Sequence, residues 1–328
     1  MSFSEDLENW MGNLPVVLKD RVPIINLAIP GSHDSGSYGI NKRSKLAPDA
    51  EEVIQKIFPF VPCVVRRWSK TQKYSILDQL NNGIRYFDLR VAVNSSDGKF
   101  YFVHGLFCEE ISEPFKELNI YLESHPQEFV VLDFQHFYNF NPQSHQALVG
   151  FVQNNFGGNL YNRTFSDSCL RQLTLSLAYR IRKQVLIVYR NNICIPDEFF
   201  RSFDFPTPWP NTTKIDKLRK FLETRLEHRS PSQGFITQCI LTPDANFIIP
   251  RFYSTLRKNC AKKVDSKMLQ WIKEQTPGMF NVGEKPRPNI FLADFVDIRG
   301  NNFCRTVVDL NMKILETLEA DNWRDVKA

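Results

Sequence analysis

The sequence predicts an α/β protein folded as an irregular (β/α)8 TIM-type barrel. Three observations lead there. Seven short apolar, β-rich runs recur along the 328 residues. Amphipathic helical spacing fills most of the gaps between them. The polar residues with chemical potential gather at the C-terminal ends of the runs, where barrel enzymes carry their sites.

In order, the runs are IINLAI (24–29), IRYFDLRVAV (84–93), KFYFVHG (99–105), EFVVLDFQHF (128–137), QVLIVYR (184–190), GFITQCIL (234–241) and NIFLADFV (289–296). Several are apolar throughout their centres, which suits parallel strands covered on both faces. Between them, Ile111, Phe115, Leu118 and Leu122 make one helical face. Ile215, Leu218, Leu222 and Leu226 make another, behind Thr212 and Thr213 as N-caps. Val307, Leu310, Ile314 and Leu318 predict a closing C-terminal helix. The link NSSDG (94–98) is too short for a crossover helix, so runs 84–93 and 99–105 are expected to form a hairpin. A barrel needs those two strands parallel, so this link is its weakest point. Seven runs are also one short of eight, so the barrel is irregular. The first run leads into PGSHDSGS (30–37), neither a G-x-G-x-x-G nor a P-loop, which removes support from an open nucleotide-binding sheet.

Hydrophobic residues are 42% of the chain and aromatics 13%, with 27 Phe, enough for a large core. No Pro/Gly/Ser-rich linker divides residues 1–328, so a single domain is expected; FDFPTPWPNTT (203–213) reads as a long surface loop. The net charge of +5 permits a mild preference for anionic surfaces. No nucleic-acid motif or sustained basic run is present, so no nucleic-acid partner is expected, and no obligate protein partner is signalled. No apolar run approaches the ~18 residues of a membrane span. The acidic start MSFSEDLENW lacks a signal pattern, which predicts a cytoplasmic protein. Seven scattered cysteines without a C-x-x-C pair signal neither a disulfide framework nor a zinc site.

The strand ends carry His33 and Asp34, then Asp88 and Arg90, then His104, Gln135 and His136, Arg190 and finally Asp294. In a barrel these converge on one face. Two imidazoles with carboxylate partners can move protons in both directions near neutral pH. Arg90 offers a planar, permanent charge matched to phosphate oxygens. The set fits phosphoryl transfer from a diester to a neighbouring hydroxyl. Each residue also has a plainer use. Asp34 can cap the following turn, His104 can bond a strand end, and Arg85, Asp88 and Arg90 can form an ion-pair ladder, with Arg85 structural. His136 reads as a packed strand-end residue, His125 and His145 as exposed helix-end or loop residues, and His228 as a helix C-terminal charge. No ligand spacing supports a metal among His33, Asp34, Asp88 and His104, and Arg90 would repel one, so no metal or other cofactor is expected. Ser32 and Ser35 flank His33, but no G-x-S-x-G elbow is present.

The blocks NLAIPGSHDSGSY, QLNNGIRYFDLRV, YFVHGLF, HPQEFVVLDFQHFY and NIFLADFV, in this order, resemble the catalytic X region of phosphatidylinositol-specific phospholipase C. The resemblance is to its small PI-PLC X domain-containing group and covers about residues 10–318. It implies an irregular (β/α)8-type barrel. It implies that His33 is the general base for the inositol 2-hydroxyl, oriented by Asp294. His104 would be the general acid for the diacylglycerol oxygen, with Asp34 as its partner. Asp88 and Arg90 would line the phosphate site. Calcium-binding members place carboxylates where this chain has Arg90 and Gln135, and an Asn at Asp34. Metal-independent bacterial members have an arginine matching Arg90, so the resemblance implies calcium independence. Gln135 stands where the bacterial enzymes have a lysine, and Arg190 where they have a headgroup-contacting arginine; both are candidate substrate-binding residues. Cys239 and Leu241 depart from the acidic and aromatic headgroup contacts of that group.

A phosphoinositide substrate would require transient contact with a membrane surface. IFPFVPCVVRRW (57–68) and Trp209 are candidates for that contact, although 57–68 reads somewhat better as a buried helix or strand. The competing functions are a catalytically weak phosphoinositide-binding or signalling protein and a glycerophosphodiesterase. The second normally wants metal-binding Glu/Asp pairs that this chain does not show.

Overall fold

Eight strands join in one sheet: β1 (Ile29–Ser32), β2 (Tyr86–Val93), β3 (Phe100–Val103), β4 (Phe107–Glu110), β5 (Val130–Tyr138), β6 (Val185–Tyr189), β7 (Ile236–Cys239) and β8 (Ile290–Ala293). The structure is a computed structural model and describes residues 2–163, 169–191 and 196–325. Six strands run parallel in the order β7–β8–β1–β2–β5–β6. β3 and β4 are antiparallel and hang from the C-terminal half of β2, where Val91 pairs Phe102. The expected hairpin is therefore present, but run 99–105 is not a barrel strand. β2 pairs β1 and then β3 along one edge, and β5 along the other, so the barrel continues past the hairpin.

Among the described residues, β6 and β7 do not pair with each other. Residues 200–206 fill the gap instead. Phe200 exchanges hydrogen bonds with β6 at Tyr189 and Ile187 (both 2.9 Å), and the carbonyls of Asp204 and Pro206 accept from Gly234 and Ile236 (both 3.0 Å). Phe205 is consequently buried, so the expected surface loop at 203–213 begins inside the wall; only parts of it, such as Phe203 and Trp209, are exposed. The mixed α/β sheet is thus an irregular, unclosed barrel.

The first run is also displaced. Ile24–Asn26 form a 3-10 turn, and β1 occupies IPGS, because pairing begins where Ile29 meets Ile290. The buried Asn289 amide holds the carbonyls of Ile24 and Leu27 (3.1 and 2.7 Å), which fixes the entry to β1. Gly31 is needed inside that strand: a Cβ there would lie 2.8 Å from the Tyr86 ring.

The abundance of Phe is explained by the packing around the sheet. Phe115, on the helix Ser112–Ser124, touches the rings of Phe102, Phe134, Phe151 and Phe156 at centroid distances of 5.5–6.2 Å. Arg85 is structural, as expected. It is wholly buried at the start of β2 and pairs with Glu128 at 2.7 Å. The predicted C-terminal helix breaks at Leu310 into Asn302–Asp309 and Asn311–Asp325. The predicted helix at 215–226 is capped at Lys214, whose N–H donates to the Thr212 hydroxyl. Among the described residues, no helix is long and apolar enough to cross a membrane.

Candidate active site

β1 ends by handing His33 to the face where β2 and β8 also end, with the His33 N–H donating to the Ala293 carbonyl (3.1 Å). The next residue, Asp34, takes a left-handed backbone (φ 42°). Its side chain makes no cap hydrogen bond to the turn Ser35–Gly39, so it is left for the site. Phe295, directly after Asp294, is also left-handed (φ 48°). Strained backbone on both sides of a site persists only where the surroundings over-determine it.

His33 Nδ1 lies 2.7 Å from Asp294 Oδ1. A carboxylate can only accept, so Nδ1 carries the proton and a neutral ring presents its Nε2 lone pair to the opening. There Nε2 lies 3.2 Å from Arg90 Nη2, 3.4 Å from Asp34 Oδ2 and 3.9 Å from Asp88 Oδ2. His104 reaches the same point from the β3–β4 turn. Its Nε2 is 3.1 Å from Asp34 Oδ2, and its Nδ1 is 2.6 Å from the Ser69 carbonyl. The Ser69 carbonyl can only accept, so Nδ1 donates to it, while the Nε2 contact with Asp34 is a close ion-pair approach and not an aligned hydrogen bond. The two imidazoles face each other nearly edge to face, with centroids 6.3 Å apart.

Asp34 lies between them. Burial pushes its carboxyl up, but Arg90, His104 and His33 together hold it down at about 2. Arg90 Nε is 2.5 Å from Asp34 Oδ1, and Arg90 Nη2 is 3.7 Å from Asp88 Oδ2. These ion pairs are not aligned as hydrogen bonds: both Asp34 oxygens, Arg90 Nε and Asp88 Oδ1 are buried without a hydrogen-bond partner. Of these atoms only Arg90 Nε is a donor, so it is the one that an anion's oxygen could satisfy. For His33, burial pushes the ring down and Arg90 adds to this, but Asp34 and Asp294 outweigh both and raise it to about 9.

His33, Asp34 and Asp88 bring three metal-ligating atoms within 4.8 Å of one another. Arg90 Nη2 already lies within 3.7 Å of both His33 Nε2 and Asp88 Oδ2. A fixed guanidinium charge this close to those atoms opposes a divalent cation there.

Arg190 is deeply committed. It forks onto Asp133, with Nε to Oδ1 at 2.8 Å and Nη2 to Oδ2 at 2.6 Å, and also donates to the Phe205 carbonyl. Tyr86 donates to the same Asp133 (2.7 Å) and accepts from Gln135 (3.1 Å). Gln135 and Arg190 nevertheless line a cleft of about 400 Å³, with His136, Asn141 and His145. His136 is exposed, not packed. His145 is buried, not exposed, because its ring fits against Phe137 and Phe140 and its Nδ1 meets the Tyr189 hydroxyl at 2.8 Å. His125 stacks on Tyr121, and His228 donates to the Thr224 carbonyl at a helix end as expected.

Residues 69–72 are a part of the site that sequence reasoning missed. They supply the Ser69 carbonyl to His104, while Thr71 and Gln72 bond the turns bearing His33 and Asp294. The Thr71 and Gln72 side chains bond backbone carbonyls that come close only in the fold, and the polar string SKTQ carries no motif that would reveal it.

The family model for the phosphatidylinositol-specific phospholipase C X domain matches residues 63–191. PI-PLC X domain-containing protein 2 of Mus musculus is 36% identical over 315 residues, covering 92% of this chain and 87% of its own. PI-PLC X domain-containing protein 3 of Homo sapiens is 34% identical over 313 residues, covering 93% and 94%. Among solved structures, a phosphatidylinositol-specific phospholipase C of Staphylococcus aureus aligns with a TM-score of 0.66 at 17% identity, covering 94% of this chain and 99% of that one. That of Listeria monocytogenes aligns with a TM-score of 0.60 at 18% identity, covering 93% and 99%. These two show the fold. The identity to the curated relatives, sustained along nearly the whole chain, shows the family: this protein belongs to the PI-PLC X domain-containing proteins.

Proposed function

We propose that the protein is a phosphoric diester hydrolase that cleaves phosphatidylinositol to diacylglycerol and an inositol cyclic phosphate without a metal. Its family and fold are those of phosphatidylinositol-specific phospholipase C. The observation that carries the reading is the facing pair His33 and His104, 6.3 Å apart, with Arg90 beside them. The inositol 2-hydroxyl oxygen attacks phosphorus while its proton passes to His33 Nε2. The bond from phosphorus to the diacylglycerol oxygen breaks as His104 Nε2 protonates that oxygen. Arg90 holds the non-bridging oxygens and neutralises their growing charge. Asp294 fixes the His33 tautomer, Asp34 stabilises protonated His104, and Asp88 orients Arg90. Gln135 and Arg190 serve the headgroup from the adjoining cleft. With the roles of the two rings reversed, water can open the cyclic product.

The same reading places a bilayer against the rim of this face. The segment 57–68 divides between the two uses expected of it. Val65 and Trp68 are buried, while Ile57, Phe60 and Val61 are exposed. Ile249, Phe252 and Tyr253 are also exposed, and Arg67 joins the two groups by donating to the Phe252 carbonyl at 3.0 Å. These residues follow the C-terminal ends of β1 and β7, so they belong to the catalytic face. Turnover of phosphatidylinositol vesicles in excess chelator tests the reaction. Activity that survives chelation and is lost in both His33→Ala and His104→Ala supports it. Activity restored only by calcium, or equal in the wild type and the double variant, contradicts it.

A further inference from the structure

The chemistry proposed above needs the His33–Asp294 pair held in register, yet the two residues come from different strands and each is followed by a left-handed residue. Their joint support comes from one short segment outside both strands. The Gln72 side chain is fully buried, and its Nε2 donates to the His33 carbonyl (3.0 Å) and the Ala293 carbonyl (2.9 Å). Its Oε1 accepts from the Val296 N–H (3.3 Å). One amide therefore bridges the ends of β1 and β8 on either side of the pair. Thr71 repeats the arrangement. Its carbonyl accepts from Phe295 N–H (2.7 Å), its hydroxyl donates to the His33 carbonyl (3.2 Å), and it meets the Ser37 hydroxyl at 2.5 Å.

We infer that Thr71 and Gln72 are positioning residues for the general base. They do not touch the reacting atoms. They hold the two strained turns so that His33 Nδ1 meets Asp294 and Nε2 faces the opening. A short histidine–carboxylate hydrogen bond depends on that register, and a displacement of about 1 Å at such a constellation costs on the order of 100-fold in rate.

This inference rests on the proposed reaction, but its test reads the pair directly in the substrate-free protein. The probe is the downfield proton resonance of His33 Nδ1–H, assigned by its loss in His33→Ala. Gln72→Ala and the near-isosteric Thr71→Val are expected to move it upfield or broaden it, and Thr71→Ser to restore it. In the same variants, turnover of a soluble inositol nitrophenyl phosphodiester should fall roughly 10–100-fold in kcat with KM within about twofold. An unchanged resonance in Thr71→Val and in folded Gln72→Ala overturns the inference; if Gln72→Ala does not fold, Thr71→Val alone decides. If the resonance responds as expected while the wild type turns over no inositol phosphodiester, the positioning role stands and the reaction assignment fails.

Discussion

At the scale of single residues, the site turns on charge. His33 is raised to about 9 and Asp34 lowered to about 2, each by the other members of the cluster against the opposing effect of burial. A base must lose its proton to act, so the ascending limb of the kcat/KM profile should lie above the 6.5 of an ordinary histidine, towards 9. Asp294→Asn removes one of the charges that raise His33, so that limb should move to lower pH while the maximum rate falls through loss of the fixed tautomer. A limb that stays in place in Asp294→Asn contradicts this assignment. The same shift enters stability. A group whose pKa is raised on folding stabilises fully below its unfolded value, so the His33 contribution is present below pH 6.5 and lost as pH rises through about 9. Asp34 works at the other end: its contribution is present above 3.8 and lost as pH falls through about 2. Urea denaturation of wild type and His33→Gln should therefore diverge most below pH 6.5 and converge towards alkaline pH. Arg90→Lys keeps the charge but loses the fork, and should cost roughly 10²–10³-fold in kcat, the magnitude of one lost transition-state donor.

At the scale of elements, the helix Ser112–Ser124 shows what holds the barrel. Phe115 is buried and in contact with four other Phe rings. Phe115→Ala should cost about 3–5 kcal/mol, measured by chemical denaturation. The helix Pro62–Ser69 carries a different burden. Val65 and Trp68 anchor it inward, and Phe60 and Val61 precede it on the exposed rim. Phe60→Ala combined with Phe252→Ala should weaken sedimentation with anionic vesicles and leave turnover of a soluble inositol phosphodiester unchanged. Unaltered sedimentation would remove this rim as the bilayer contact. The helix faces at 111–122 and 215–226 were legible in the sequence because their spacing survives any tertiary context. The displacement of β1 was not, since IINLAI is apolar whether it lies in a strand or in the 3-10 turn Ile24–Asn26. β4 was missed for a related reason. FCEE has no alternation to mark it and pairs only because β3 turns back on Gly105, at φ 66°.

At the scale of the whole molecule, the barrel converts distant sequence positions into one face. Residues 33, 104 and 294 could be grouped in advance because they lie at or just beyond the ends of apolar runs, and Asp88 and Arg90 because they are polar positions two apart on one face of the run 84–93; a barrel gathers such positions on one face. What could not be read was which polar contacts the fold would spend internally. Arg190, just past the end of β6, and Asp133 on β5 form an Arg–Asp pair as Arg90 and Asp88 on β2 do, yet the first pair closes as an aligned fork and the second stays unaligned at 3.7 Å. That difference depends on the carbonyls of the irregular segment 200–206, which lies between β6 and β7 only in the folded wall. The bridging role of Gln72 is likewise a property of two strand ends, invisible until they are adjacent.

In the proposed reaction, two imidazoles and one guanidinium carry out an intramolecular phosphoryl transfer. Phosphorus NMR of phosphatidylinositol digested by the purified protein in excess chelator tests it most directly. The proposed mechanism predicts that the resonance of a five-membered cyclic inositol phosphate appears before any acyclic product, and that His33→Ala abolishes it. An acyclic phosphomonoester formed without the cyclic species, or a cyclic product that persists in His33→Ala, would contradict it.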